Sequence, residues 1–211
     1  MPNIFDPSYL MDFILGLPWI LLAFSFHEFC HAMVSYRLGD PTPEREQRLT
    51  LNPIRHIDPI GMITIALFGF GWAKPVQINP RYYKNPVKGM LFVALAGPAG
   101  NFILAVLLAV VIRVIAPMGI TLFRISVSSY LVLGMVYNLR LGIFNLIPIP
   151  PLDGSKVLRY FLRGSAGYQF DRIEPYGFYI LILFLILNLH YYILNPAVSV
   201  LSQLLLGRMN F

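Results

Sequence analysis

Residues 26–31 read Phe26-His27-Glu28-Phe29-Cys30-His31, an H-E-x-x-H motif on a strongly apolar segment. In a helix over 24–37, His27 and His31 stand four apart and project from one face, a turn above each other. Two neutral imidazoles at that spacing can grip one Zn²⁺, and Glu28 between them can take a proton from an attacking water. The pattern fixes only three residues, so its setting decides how much it means. Residues 9–26 form an apolar run, broken only by Asp12, that leads straight into it. Ionisable groups inside a membrane span are rare and usually functional.

The rest of the chain agrees with a membrane setting. Of its 211 residues 57% are hydrophobic and 12% charged, outside the range of soluble domains. Gly89–Ile112 is 24 residues without a charge and Pro175–Leu194 is 20, each long enough to cross a bilayer. No polar stretch is long enough to fold separately, so 1–211 reads as one membrane-embedded domain, with its core over 9–160 and C-terminal helices over 175–208. The N-terminus carries no cationic leader pattern, and 9–38 reads as retained protein. The single Cys30 excludes an internal disulfide and a cysteine zinc cluster. Most of the 16 basic residues fall on one side if 9–37, 89–112 and 125–152 each cross once. The positive-inside rule makes that side cytoplasmic and leaves Arg113, Arg124 and the short cap over 1–8 outside. Basic loops without a soluble fold to present them do not suggest a nucleic-acid partner.

Taken in order, the first span stops at Leu38-Gly39-Asp40-Pro41, where Gly favours the position after a helix and Pro cannot continue it. Pro59–Ala73 is apolar but short and holds Gly61, Gly69 and Gly71, which suits a re-entrant element. Lys74–Pro80 alternates apolar and polar residues between prolines and reads as an edge-like strand. Ala96-Gly97-Pro98-Ala99-Gly100-Asn101 lies inside the 89–114 span; its small residues suit close helix packing, and Asn101 needs a partner there. The span from 125 carries Asn138, Arg140 and Asn145 into Pro148-Ile149-Pro150-Pro151-Leu152-Asp153-Gly154, where prolines force the helix to unwind. Arg140 is costly in a span unless it snorkels or is paired. Residues 155–174 are amphipathic and basic, fitting the interface, and 175–207 is uncharged with a break at Asn195-Pro196. The expected fold is an α-helical polytopic membrane protein of about five to six transmembrane segments, with a membrane-embedded re-entrant or β element between the first two core helices.

A catalytic zinc keeps three protein ligands and one open position. Beyond His27 and His31, the candidates for the third are His56, Asp58, Asp153, Glu174 and His190. Asp153 is favoured because it alone sits at a helix break after an apolar span. His56 lies in a charged loop, and His190 neighbours Tyr191 and Tyr192 in what reads as an interfacial aromatic belt.

His27–His31, Gly97–Asn101 and Asn145–Gly154 together resemble the site-2 protease family of intramembrane zinc metalloproteases. Leu51–Gly61 and Gly71–Val76 resemble its short prokaryotic members, and the similarity covers most of 20–160. The resemblance implies Zn²⁺ held by His27, His31 and Asp153, with Glu28 as catalytic base. It also implies that Asn145 helps hold or polarise the substrate carbonyl. Val76 and Ile78, through edge pairing of an unwound segment, and Asn101 complete the substrate-binding candidates. The implied activity is peptide-bond hydrolysis within or near the spans of membrane-anchored, single-span substrates, in the plasma membrane, with the site open to the cytoplasm. Two alternatives remain at this point: an HExxH peptidase with a glutamate as third ligand, and a metal-binding transporter or inactive scaffold.

Overall fold

A computed structural model describes residues 7–122 and 125–207; most of the expected cap over 1–8, Arg124 and position 208 lie outside them. Helix α1, Pro7–Arg37, is 31 residues long, roughly 46 Å, and carries the H-E-x-x-H motif toward its end. It stops where the sequence suggests: Gly39 takes φ 104, and its N–H donates to Tyr36 O at 2.9 Å. The short helix α2, Thr42–Arg45, follows. Helix α3, Pro59–Phe68, starts on Asp58, whose carboxylate accepts from the Gly61 N–H at 2.8 Å, and ends at Gly69 with φ 76. Asn85 caps α4, Pro86–Ile115, in the same way, accepting from the Lys88 N–H. A two-residue hairpin, β1 Thr121–Leu122 with β2 Ile125–Ser126, leads into α5, Val127–Asn145. Helices α6 Asp153–Phe161, α7 Gly164–Ile173, α8 Gly177–Ile186 and α9 Leu189–Leu206 complete the described chain.

The bundle is built around α4. Ala105, Leu108, Ala109 and Ile112 on one side of α4 pack against Met135 and Leu139 of α5 and Val198 and Leu206 of α9. The opposite side turns Ile103, Leu107, Val110 and Val114 outward. A helix apolar on all faces yet exposed on one is matched to lipid, not water. A second cluster joins Leu181 and Leu185 of α8 to Ile147 and Leu152, in the unwound stretch between α5 and α6.

Among the described residues, three helices are long and apolar enough to cross a membrane: Ser8–Arg37, Pro86–Met118 and Val127–Asn145. A fourth crossing arises if Gly164–Ile186 and Leu189–Leu206, bent by 73° at their junction, form one span. These apolar helices are those of a multi-pass membrane protein. By length and apolarity these long spans number three or four, beside the about five to six segments expected from the sequence. Asn188 adopts φ 57 and breaks the apolar run, leaving α8 only 10 residues, about 15 Å against a hydrocarbon core of about 30 Å.

Residues 74–79 also differ in detail from the edge-like strand expected over 74–80. After Gly69 the chain runs without helix or β-ladder to Asn79, whose φ −121 and ψ 96 are extended. The two legs cross so closely that a Cβ on Gly71 would lie 2.1 Å from Gly61 O, and one on Gly61 would lie 2.0 Å from Trp72 O. Backbone cannot yield as a flexible side chain does. Gly71→Ala is therefore expected to destabilise the purified protein by about 1–3 kcal/mol, read as a lowered thermal midpoint in detergent. An unchanged midpoint would show that the crossing opens freely.

Candidate metal centre

Helix α1 supplies two imidazoles from one face, as four-residue spacing dictates. The three prolines over 148–151 end α5 and let the chain turn back, so that Asp153 opens α6 where that helix packs on α4. His27 Nε2 lies 3.0 Å from His31 Nε2 and 3.1 Å from Asp153 Oδ2. His31 Nε2 lies 3.0 Å from the same carboxylate oxygen. The three side chains are 3%, 7% and 6% exposed. Zinc bonds of about 2.0–2.1 Å arranged tetrahedrally separate ligand atoms by about 3.3 Å, close to this spacing.

The remaining ring nitrogens are committed in a way that suits the same group. His27 Nδ1 is 2.7 Å from Asn101 Oδ1, and His31 Nδ1 is 2.7 Å from Val93 O. A carbonyl oxygen only accepts, so each Nδ1 carries the proton and each Nε2 presents its lone pair to the centre. Gly97 provides the room: a Cβ there would lie 2.5 Å from His31 Nε2 and 2.6 Å from His27 Nε2. The glycine of the small-residue run is thus a cradle for the imidazoles as well as a packing contact. Donor set, tautomers and space fit a zinc ion.

Glu28 and the extended segment are joined directly, its Oε2 accepting from the Val76 N–H at 2.9 Å. Buried side chains hold that segment at both ends. Arg48 donates to the carbonyls of Arg55 and Lys74. Asp40 accepts from the N–H groups of Asn79 at 2.7 Å and Thr42 at 2.9 Å, and from the Ser35 hydroxyl at 2.8 Å. Burial alone raises the Asp40 pKa, but the hydrogen bonds from Asn79, Thr42 and Ser35 outweigh it and hold the carboxyl below its ordinary value. Val76 is buried and Ile78 half-buried, while Gln77 between them is exposed.

Asn101 is not placed as a substrate-binding residue. It is fully buried; its oxygen faces His27, and its amide donates to Ala23 O at 3.1 Å and Asn138 Oδ1 at 2.9 Å. Both amide protons and the oxygen are engaged, so nothing is left for a substrate. Asn145 ends α5, half-buried, with its amide donating to Leu141 O at 3.0 Å. The other third-ligand candidates lie elsewhere: Asp58 caps α3, His56 Nε2 bonds Thr50 O, Glu174 is exposed and His190 lines a separate cavity. Cys30 packs against Gly100, where a Cβ would meet its sulfur at 2.4 Å. The support from Asn138, Asp40 and Arg48 was not read from sequence. Of these, only Asn138, a polar residue inside a span, carried a signal.

Buried His-His-Asp donors, an adjacent glutamate and an apolar helical scaffold define a membrane-embedded metallopeptidase class, and comparison with known proteins agrees. Residues 112–188 match the model of peptidase family M50. The chain is 35% identical to YwhC of Bacillus subtilis over 85% of its own length and 84% of that protein. It is 32% identical to Rip2 of Mycolicibacterium smegmatis over 85% of its length and 69% of that protein. Both relatives carry provisional zinc-metalloprotease names. MJ0392 of Methanocaldococcus jannaschii, named a zinc metalloprotease, is 37% identical over 40% of the chain and 23% of that protein. No solved structure matches the chain at a significant level. The chain belongs to peptidase family M50, the site-2 protease family, and is a zinc metalloprotease.

Two outcomes are expected. Asn101→Ala frees the His27 ring and lowers zinc affinity by about 10- to 100-fold, measured by chelator competition; unchanged affinity would deny Asn101 that part. A carboxyl held below its ordinary pKa adds stability that is present at neutral pH and lost as pH falls through the folded value. The gap in thermal midpoint between native protein and Asp40→Asn should therefore be widest near neutrality and close as pH drops below about 4. A gap that stays constant would refute the ionised role.

Proposed function

We propose that this zinc metalloprotease cuts peptide bonds within or near the membrane spans of single-span substrates, as in regulated intramembrane proteolysis. We assign the metal ligands to His27, His31 and Asp153 and the catalytic base to Glu28. The observation that carries the reading is the convergence of the three donor atoms within 3.1 Å, beside a glutamate bonded to extended backbone. Zinc held there supplies Lewis acidity, polarising a peptide carbonyl and bringing the pKa of water to about 7. Glu28 takes the proton of the attacking water and passes it to the leaving nitrogen. Asn145 turns its second amide proton toward the substrate carbonyl, its first being held by Leu141 O.

A substrate helix hides its amides and must unwind before it can be cut. The segment over Val76–Ile78 receives it by edge pairing, with Glu28 on one edge at Val76 and the exposed Gln77 on the other. The 59–79 element dips into the membrane as a re-entrant unit, and the basic loops after α1 face the cytoplasm of the plasma membrane, from which water reaches the metal. The whole of 1–211 acts as one membrane-embedded unit.

A transporter or inactive scaffold would use the same metal without turnover, so one substitution separates the readings. Native protein reconstituted with a tagged panel of single-span proteins should cleave at least one of them. Glu28→Gln should keep its zinc and lose turnover by roughly 100- to 10,000-fold, while Asp153→Ala loses both. Cleavage that persists in Glu28→Gln, or in metal-free native protein, would overturn the proposal.

A further inference from the structure

About one helical turn before His27 and Glu28, α1 borders a cavity of about 190 Å³ whose walls are mostly apolar, with Ala23 and Phe24 of α1, Gly71 of the extended segment and Phe144 of α5 among them. Two polar groups interrupt the walls. Arg140, five residues before the end of the apolar helix α5, lines the cavity and is exposed. It makes no hydrogen bond or ion pair among the described residues. His190, at the start of α9, lines the same cavity, and its Nδ1 is buried without a hydrogen-bond partner. A guanidinium that faces an apolar-walled cavity with no hydrogen bond or ion pair is matched by an anion.

Resting on the protease reading, we propose that this cavity is a substrate subsite in which Arg140 and His190 hold a carboxylate side chain, making the enzyme selective for an acidic residue near the cleaved bond. Position, size and charge point the same way. Ala23 and Phe24 precede Glu28 by about one turn, so the cavity opens within about 6–8 Å, along α1, of the base. Gly71 stands five residues before Val76, whose N–H is fixed by Glu28. A chain paired with the extended segment therefore reaches the cavity about four to five residues from the scissile bond. The volume falls below the roughly 300–1,000 Å³ of small-molecule pockets, which suits one side chain and not a whole lipid. The guanidinium fork matches a carboxylate with two parallel hydrogen bonds and keeps it ionised inside an apolar wall. A ring N–H on His190 Nδ1 adds a third donor.

The test separates binding from turnover by using zinc-loaded Glu28→Gln protein in phosphatidylcholine vesicles. The probes are synthetic apolar peptides of about 30 residues, each with a single Glu at successive positions, and their Gln counterparts. Glu should be preferred over Gln by about 10-fold or more in one narrow window of positions. Adding Arg140→Gln should bring that ratio near one, Arg140→Lys should keep part of it, and Arg140→Glu should shift the preference to Lys peptides. The zinc content of each variant reports that it is folded. Equal binding of Glu and Gln peptides at every position would overturn the subsite, as would a preference that survives Arg140→Gln. So would a preference abolished by added phosphatidylglycerol, since the occupant would then be a lipid phosphate. Cleavage of the same peptides by native protein is scored separately. Selective binding without any cleavage would overturn the protease reading and leave the subsite standing.

Discussion

The structure depends on bringing three polar side chains together inside an apolar helical bundle. Desolvating two imidazoles and a carboxylate is costly unless each finds partners. Here the partners are one another and a surrounding set of acceptors. Asn101 and Val93 O take the outward ring protons, and Lys156 lies 3.5 Å from the second carboxylate oxygen of Asp153. Asn138 in turn receives an Asn101 amide proton and gives its own to Gly134 O. The chain of bonds thus runs from α1 through α4 to α5. Rotating any of these helices would leave a buried donor or acceptor unpaired, so the network sets the register of the bundle as well as the orientation of the rings.

The same economy governs the segment that faces the metal from the other side. An extended chain without a β-ladder has backbone groups to satisfy, and a lone strand is marginal in isolation. Its groups are taken up by side chains from α1 and the loops after it: Asp40 at Asn79, Glu28 at Val76, Arg48 at Lys74. The Lys74 N–H also donates to His56 O. These bonds leave the Gln77 backbone uncommitted among the described residues. With Lys74 and Val76 held on one edge, the opposite edge is held at Asn79 and left available at Gln77, which a strand in the middle of a sheet cannot offer.

How much of this was legible in the sequence follows from the range of each interaction. The pairing of His27 with His31 is a local consequence of helical pitch, and the stop after Arg37 is a local consequence of Gly39 and Pro41. Asp153 stood out because prolines expose it at a break within an apolar run. Which asparagine meets which histidine is different. Asn138 and Asn145 share one face of α5, yet only Asn138 is buried, because α1 and α4 cover that turn and not the last one. Arg48 and His56 sit in a stretch whose charge suggests a solvated loop; the tight crossing at Gly61 and Gly71 folds that stretch inward and buries both. The bend after α8 was not legible because hydropathy measures apolarity, whereas Asn188 changes direction through one backbone angle.

Arg140 shows where the two kinds of reading meet. In sequence it was an anomaly, an arginine within a span and without an identifiable partner. The structure leaves it unpaired among the described residues, lining a cavity that α1 borders about one turn before the metal ligands. A buried salt bridge within the protein would have neutralised that charge permanently. Leaving the charge open to a cavity makes its neutralisation depend on what enters. In the proposed subsite a neutral occupant would cover the guanidinium with apolar groups and leave it unpaired, so discrimination would come from penalising the wrong residue as much as from favouring the right one.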